Sequence, residues 1–104
     1  MYLSGQVGTD TKEQTVGTNL ETQADAAIKN IAAILESSDG GNLTHVVMLR
    51  IYIVDSARDE QEQLVNVLQK YFPKDPPATS WVFVNGLSEP EWLVEIEAEA
   101  VLPE

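Results

Sequence analysis

The sequence predicts an α+β fold in the order β-α-β-α-β-β, with two helices on one face of a mostly antiparallel sheet. Three observations carry this. Leu20, Ala24, Ala27, Ile28, Ile31, Ile34 and Leu35 recur at helical spacing, one apolar stripe over five turns. The run VVMLRIYIV, inside Leu43–Asp55, is β-branched and nearly all apolar, as a central strand requires. In Leu93–Val101, Val94, Ile96, Ala98 and Ala100 alternate with Glu95, Glu97 and Glu99, which gives a strand with one apolar face and one row of carboxylates.

The remaining elements follow in order. Tyr2–Val7 is a short strand, and Gly8–Gly17 a polar loop. Thr18 followed by Glu21 has the spacing of a capping box, which places the first helix start at Thr18. Ser37 to Gly41, including Asp39, stops that helix. A second helix starts over Ser56–Asp59, with Leu64, Val65, Leu68, Tyr71 and Phe72 as its apolar face. Pro73, Pro76 and Pro77 end it and lead into a strand at Trp81–Val84. Within the central strand, Val47, Leu49, Ile51 and Ile53 point towards the helices. Val46, Met48, Arg50, Tyr52 and Val54 point away from them. That second face is too apolar to be left wet and no sequence remains to cover it, so a second subunit is the expected cover.

Composition narrows the function. The 104 residues are expected to form one domain. There is no cysteine, which rules out disulfides and thiolate chemistry. No apolar run reaches the length of a membrane span, and the start has no basic segment before a long apolar one, so a cytoplasmic protein is expected. Six Lys+Arg against seventeen Asp+Glu give a formal net charge of −11, which disfavours nucleic acid. His45 is the only histidine and is expected near the surface at a strand start, so no metal is called for. Trp81 and Trp92 read as packing anchors, and Asp10 and Asp39 as loop and surface charges. Gly5, Gly8 and Gly17 form no phosphate loop.

Leu3-Ser4-Gly5-Gln6, the Val46–Asp55 strand, Pro76-Pro77-Ala78 and Val94-Glu95-Ile96-Glu97-Ala98, in this order, resemble the Rid/YjgF family of reactive intermediate deaminases. The resemblance implies a chorismate mutase-like fold, a homotrimer whose sheets enclose a barrel, and ligand clefts between subunits. It implies hydrolysis of imines and enamines to 2-oxo acids and ammonia without a cofactor. It further implies that Glu95 positions the attacking water, and that Asn66 and the backbone of Gly5 line the cleft. Thr79 stands where the family carries a carboxylate-binding arginine. Ser80 matches the family, and Trp81 replaces a small residue or cysteine. Against the family pattern the chain starts at the second strand, so a leading strand with a cleft tyrosine is expected to be absent. A hydroxyl does not replace a guanidinium fork. Two functions therefore stay open: a hydrolase dependent on Glu95, or a trimer that binds a metabolite without turning it over. Arg50 also has two readings, as an anion contact or as the partner of Glu95, Glu97 or Glu99. Mutual repulsion in the glutamate row is expected to raise at least one carboxyl pKa. Some relatives are called endoribonucleases, but the charge and the single histidine argue against RNA cleavage here.

Overall fold

A computed structural model describes residues 1–38 and 40–103; Asp39, read as a loop charge, lies outside the described residues. The order is β1 (Tyr2–Val7), α1 (Leu20–Glu36), β2 (Val46–Val54), α2 (Gln61–Tyr71), β3 (Ala78–Val84) and β4 (Val94–Ala100). Short 3-10 helices at Leu43–His45 and Asp55–Glu60 flank β2 and take the ends that the sequence assigns to the strand. The sheet order is β1-β4-β2-β3. The two pairs that β4 makes, with β1 and β2, are antiparallel, whereas β2 and β3 run parallel, joined through α2.

The core lies between the sheet and the two helices. Leu49, Ile51 and Ile53 of β2 and Val94, Ile96 and Ala98 of β4 are fully buried against Ala24, Ala27, Ile28, Ile31 and Leu35 of α1 and Leu64 of α2. No helix among the described residues is long and apolar enough to cross a membrane.

Three local expectations are corrected. The N-cap of α1 is Asn19, not Thr18: its side-chain oxygen accepts from the Thr22 N–H at 2.8 Å. The neighbouring amides are served from α2, Leu20 N–H donating to Glu60 Oε1 and Glu21 N–H to Gln63 Oε1, each at 3.0 Å. These three bonds account for three of the four donors that a helix start leaves unpaired. On α2, Val67 is buried and Val65 is 40% exposed, because the packed face runs Leu64, Val67, Leu68, Tyr71 at i, i+3, i+4, i+7. At the start of β2, Val46 is buried and Val47 exposed, the reverse of simple alternation. The register explains it. Val46 faces Ala100 and Met48 faces Glu99, so β2 has one extra residue here, a bulge that exchanges the two faces.

Gln23 is the buried polar side chain of the core, and nothing in the sequence pattern distinguishes it. Its Nε2 donates to Glu91 O (2.9 Å) and Gly17 O (3.3 Å), and its Oε1 accepts from Leu93 N–H (2.8 Å). One side chain thereby ties α1 to the β3–β4 connection. Gly8 lets the chain leaving β1 pass close to the same residue, since a Cβ there would stand 2.7 Å from the backbone of Gln23.

Candidate active site on the carboxylate face

The sheet face away from the helices carries the glutamate row. β4 is flanked on both sides, so its alternation is complete: Val94, Ile96, Ala98 and Ala100 are buried, and Glu95, Glu97 and Glu99 line the other face. Register sets their neighbours. Tyr52 lies beside Glu95, Arg50 beside Glu97, Met48 beside Glu99, and Tyr2 beside Glu99 from the other side.

Arg50 Nη1 donates to Glu99 Oε1 at 2.9 Å and Arg50 Nε to Glu97 Oε1 at 3.4 Å. Tyr52 Oη donates to Glu97 Oε1 at 2.6 Å, and Tyr2 Oη to Glu97 Oε2 at 3.3 Å. The Tyr2 ring lies 5.0 Å from the guanidinium carbon. Arg50 Nη2 is buried without an acceptor among the described residues.

Glu97 therefore has three donors, and it is not a raised carboxyl. The Tyr52 hydroxyl, with Tyr2 and Arg50, holds it below the usual carboxylate range against the opposing effect of burial. Reciprocally, the hydrogen bond to Glu97 pushes the Tyr52 phenol up. Glu99 is the main cause of the still higher pKa of Arg50.

Glu95 is different. Among the described residues it has neither a hydrogen bond nor an ion pair, although it is half-buried. Its carboxylate lies against Gly5: a Cβ at Gly5 would stand 2.5 Å from Glu95 Oε2 and 2.7 Å from its Cδ. Gly5 sits at a second bulge. Leu3 faces Ala98 and Gln6 faces Ile96, so β1 has an extra residue within Ser4–Gly5, and the ladder is interrupted beside the free carboxylate. A carboxylate without partners next to interrupted backbone can take a proton from a bound water while neighbouring backbone groups contact a ligand.

The candidate residues fall into separate groups. Gly5, Arg50 and Glu95 share the carboxylate face, and Ser80, paired in register with Arg50, is exposed on the same face of β3. Thr79 and Trp81 pair with Leu49 and Ile51, so they lie on the helix side of that strand. Thr79 is exposed there, and Trp81 packs against the core. Asn66 is exposed on α2. Within one chain, Thr79, Trp81 and Asn66 are thus apart from Glu95. Tyr2 and Tyr52, not singled out from the sequence as site residues, belong to the network. The alternation of β2 carries the signal for Tyr52, which falls on the glutamate face.

His45 lies off this face, its Nδ1 accepting from Asn42 N–H at 3.1 Å in the turn before β2. Trp92 Nε1 donates to Thr15 Oγ1 at 3.2 Å, an anchor for the loop after β1. Among the described residues no three His, Asp or Glu side chains converge as metal ligands. A groove of about 550 Å³ lies between the loop after β1 and α1, lined by Val16, Thr22, Ala26, Asn30 and the paired Asp25 and Lys29.

This arrangement has close counterparts. The model of the endoribonuclease L-PSP family matches residues 1–102. A RutC family protein of Saccharolobus solfataricus is 40% identical over 97 residues, 92% of this chain and 74% of that protein. The Rid-family protein YyfB from Yersinia pestis superposes with a TM-score of 0.88 at 31% identity, over 98% of this chain and 77% of that one. RidA from an Antarctic Psychrobacter gives 0.84 at 31% identity, over 93% and 76%. By sequence and by fold, the chain belongs to the endoribonuclease L-PSP family, the Rid/YjgF proteins.

Proposed function

We propose that the chain acts as one Rid-like domain in a cytoplasmic homotrimer that binds a small imine, enamine or carbonyl metabolite in clefts between subunits and hydrolyses the imine. The carrying observation is that Glu95, alone in the glutamate row, has no partner among the described residues and faces Gly5 at the β1 bulge. Glu95 takes a proton from water as it attacks the C=N carbon. Nitrogen receives both water protons, the first handed on by Glu95, the C–N bond breaks, ammonia leaves with the electron pair, and a carbonyl remains. Ser80, Thr79, Trp81 and Asn66 belong to the cleft in this reading, the last three reaching it from a neighbouring subunit. A neighbour is also the cover for Tyr2, Val47 and Val82, which are 62%, 48% and 43% exposed.

The experiment supplies imino acids from an amino-acid oxidase and follows their loss by semicarbazide trapping. Addition of the protein accelerates the loss, and Glu95→Gln reduces the acceleration by about 10²–10⁴-fold. A binding trimer without turnover is the second reading, favoured by Thr79, whose exposed hydroxyl offers no cation to a substrate carboxylate. It predicts a ligand-dependent rise in melting temperature and no acceleration. Ribonuclease chemistry gains no support, since His45 lies off the carboxylate face and that face is predominantly negative.

A further inference from the structure

The carboxylate face also bears on which imines would fit, an inference that rests on the hydrolytic reading above. A substrate carboxylate is best held by two parallel N–H donors of one guanidinium. Of the six Lys and Arg residues, Arg50 alone lies on this face. Lys12 is in the loop after β1, Lys29 on α1, Arg58 in the turn after β2, Lys70 on α2 and Lys74 beyond it. Arg50 has no fork to offer. Its Nε is bonded to Glu97 and its Nη1 to Glu99, so either pair of parallel donors is already interrupted, and the remaining Nη2 is buried.

The charge balance points the same way. One guanidinium faces three carboxylates, a formal excess of two negative charges, on a chain whose net charge is −11. An incoming carboxylate meets repulsion from Glu95 and Glu99, whereas a cation is attracted. An imine without a carboxylate becomes an iminium cation on protonation, and the iminium is also its more electrophilic form.

We propose that this site selects imines lacking a carboxylate, those derived from amines rather than from amino acids, and takes them as iminium cations. The balanced step is R–CH=NH2⁺ plus H2O giving R–CHO plus NH4⁺. Water oxygen bonds to carbon, the C–N bond breaks, and nitrogen leaves with the electron pair and takes both water protons, which Glu95 relays in turn. Glu97 and Glu99 set the selectivity by occupying Arg50.

The test uses two imines that differ only by the carboxylate, from benzylamine with a flavin amine oxidase and from phenylglycine with a flavin amino-acid oxidase. Their loss is followed by semicarbazide trapping with the full chain present. The benzylamine imine is expected to be hydrolysed with a kcat/KM about tenfold or more above the other, a preference of about 1.4 kcal/mol. Glu99→Ala, which removes the acceptor from Nη1, lowers that ratio; a ratio unchanged in the variant overturns the role assigned to the ion pairs. Equal turnover, or preference for the phenylglycine imine, overturns the inference and leaves Glu95-dependent hydrolysis standing. Turnover of neither overturns hydrolysis, and selectivity is then decided by binding of benzamidinium and phenylglyoxylate, followed by NMR at Gly5 and Tyr52. Tighter benzamidinium binding upholds the charge selectivity, while tighter phenylglyoxylate binding, or binding of neither, removes it.

Discussion

Gly5 and Glu95 are in direct apposition: the carboxylate occupies the space that any side chain at residue 5 would need, with Oε2 2.5 Å from where a Cβ would stand. The bulge in β1 and the fully flanked strand β4 produce this contact together, the first by displacing backbone and the second by fixing the glutamate.

Gly5→Ala is therefore expected to disturb the site more than the fold. The colliding atoms belong to the flexible end of Glu95, which can turn aside without moving the backbone. Displacing the carboxylate by about 1 Å is expected to lower imine turnover by about 10²-fold. Melting and kinetics measured on the same sample check this. A large drop in melting temperature with unchanged kcat would contradict it.

Acid should weaken the fold partly through Glu97. Its folded pKa lies below the ordinary value because Tyr52, Tyr2 and Arg50 favour the carboxylate. A lowered pKa adds stability above the unfolded value, and that stability disappears as pH falls through the folded one. Asp25, where Lys70, Tyr71 and Lys29 outweigh burial, contributes in the same window. Glu97→Gln removes one of the two contributions, so its melting temperature should fall less steeply than wild type between about pH 5 and pH 3. Parallel curves would show that the network is not coupled to folding.

The cap of α1 separates two neighbouring residues. Asn19→Ala removes the bond to Thr22 N–H and is expected to cost about 0.5–2 kcal/mol. Thr18→Ala, outside the cap, is expected to stay within about 0.5 kcal/mol. Denaturant unfolding of both variants decides between Asn19 and Thr18 as the helix start.

The paired central strands carry the core. Ile96→Ala removes a fully buried side chain from β4, opposite Ile51, and is expected to cost about 2–5 kcal/mol. Chemical denaturation provides the number, and a value below about 1 kcal/mol would mean that the helix layer does not pack on Ile96 as described.

These features differ in how far the sequence reveals them. β4 is legible residue by residue, because a strand with a neighbour on each side and helices on one face shows strict alternation. β2 is legible only where alternation persists: the bulge at Val46–Met48 exchanges Val46 and Val47, and no turn residue announces it. The choice of Asn19 over Thr18 depends on one backbone conformation between two residues that both cap well. Val65 and Val67 are equally apolar, and the position of α1 decides which is buried. At the candidate site the sequence shows three glutamates and an arginine on one face. It leaves open which carboxylates Arg50 holds, because that choice follows from the pairing of Arg50 with Glu97 rather than with Glu95. The freedom of Glu95 is thus a product of register, and so is the proximity of Gly5.

The most direct test of a catalytic Glu95 is the kcat/KM for imine hydrolysis, compared between wild type and Glu95→Gln after sedimentation shows the same assembly state for both. The prediction is measurable hydrolysis in wild type and a loss of about 10²–10⁴-fold in the variant. Hydrolysis that persists unchanged in Glu95→Gln, or no acceleration by the wild-type protein with imines of either charge, would contradict it.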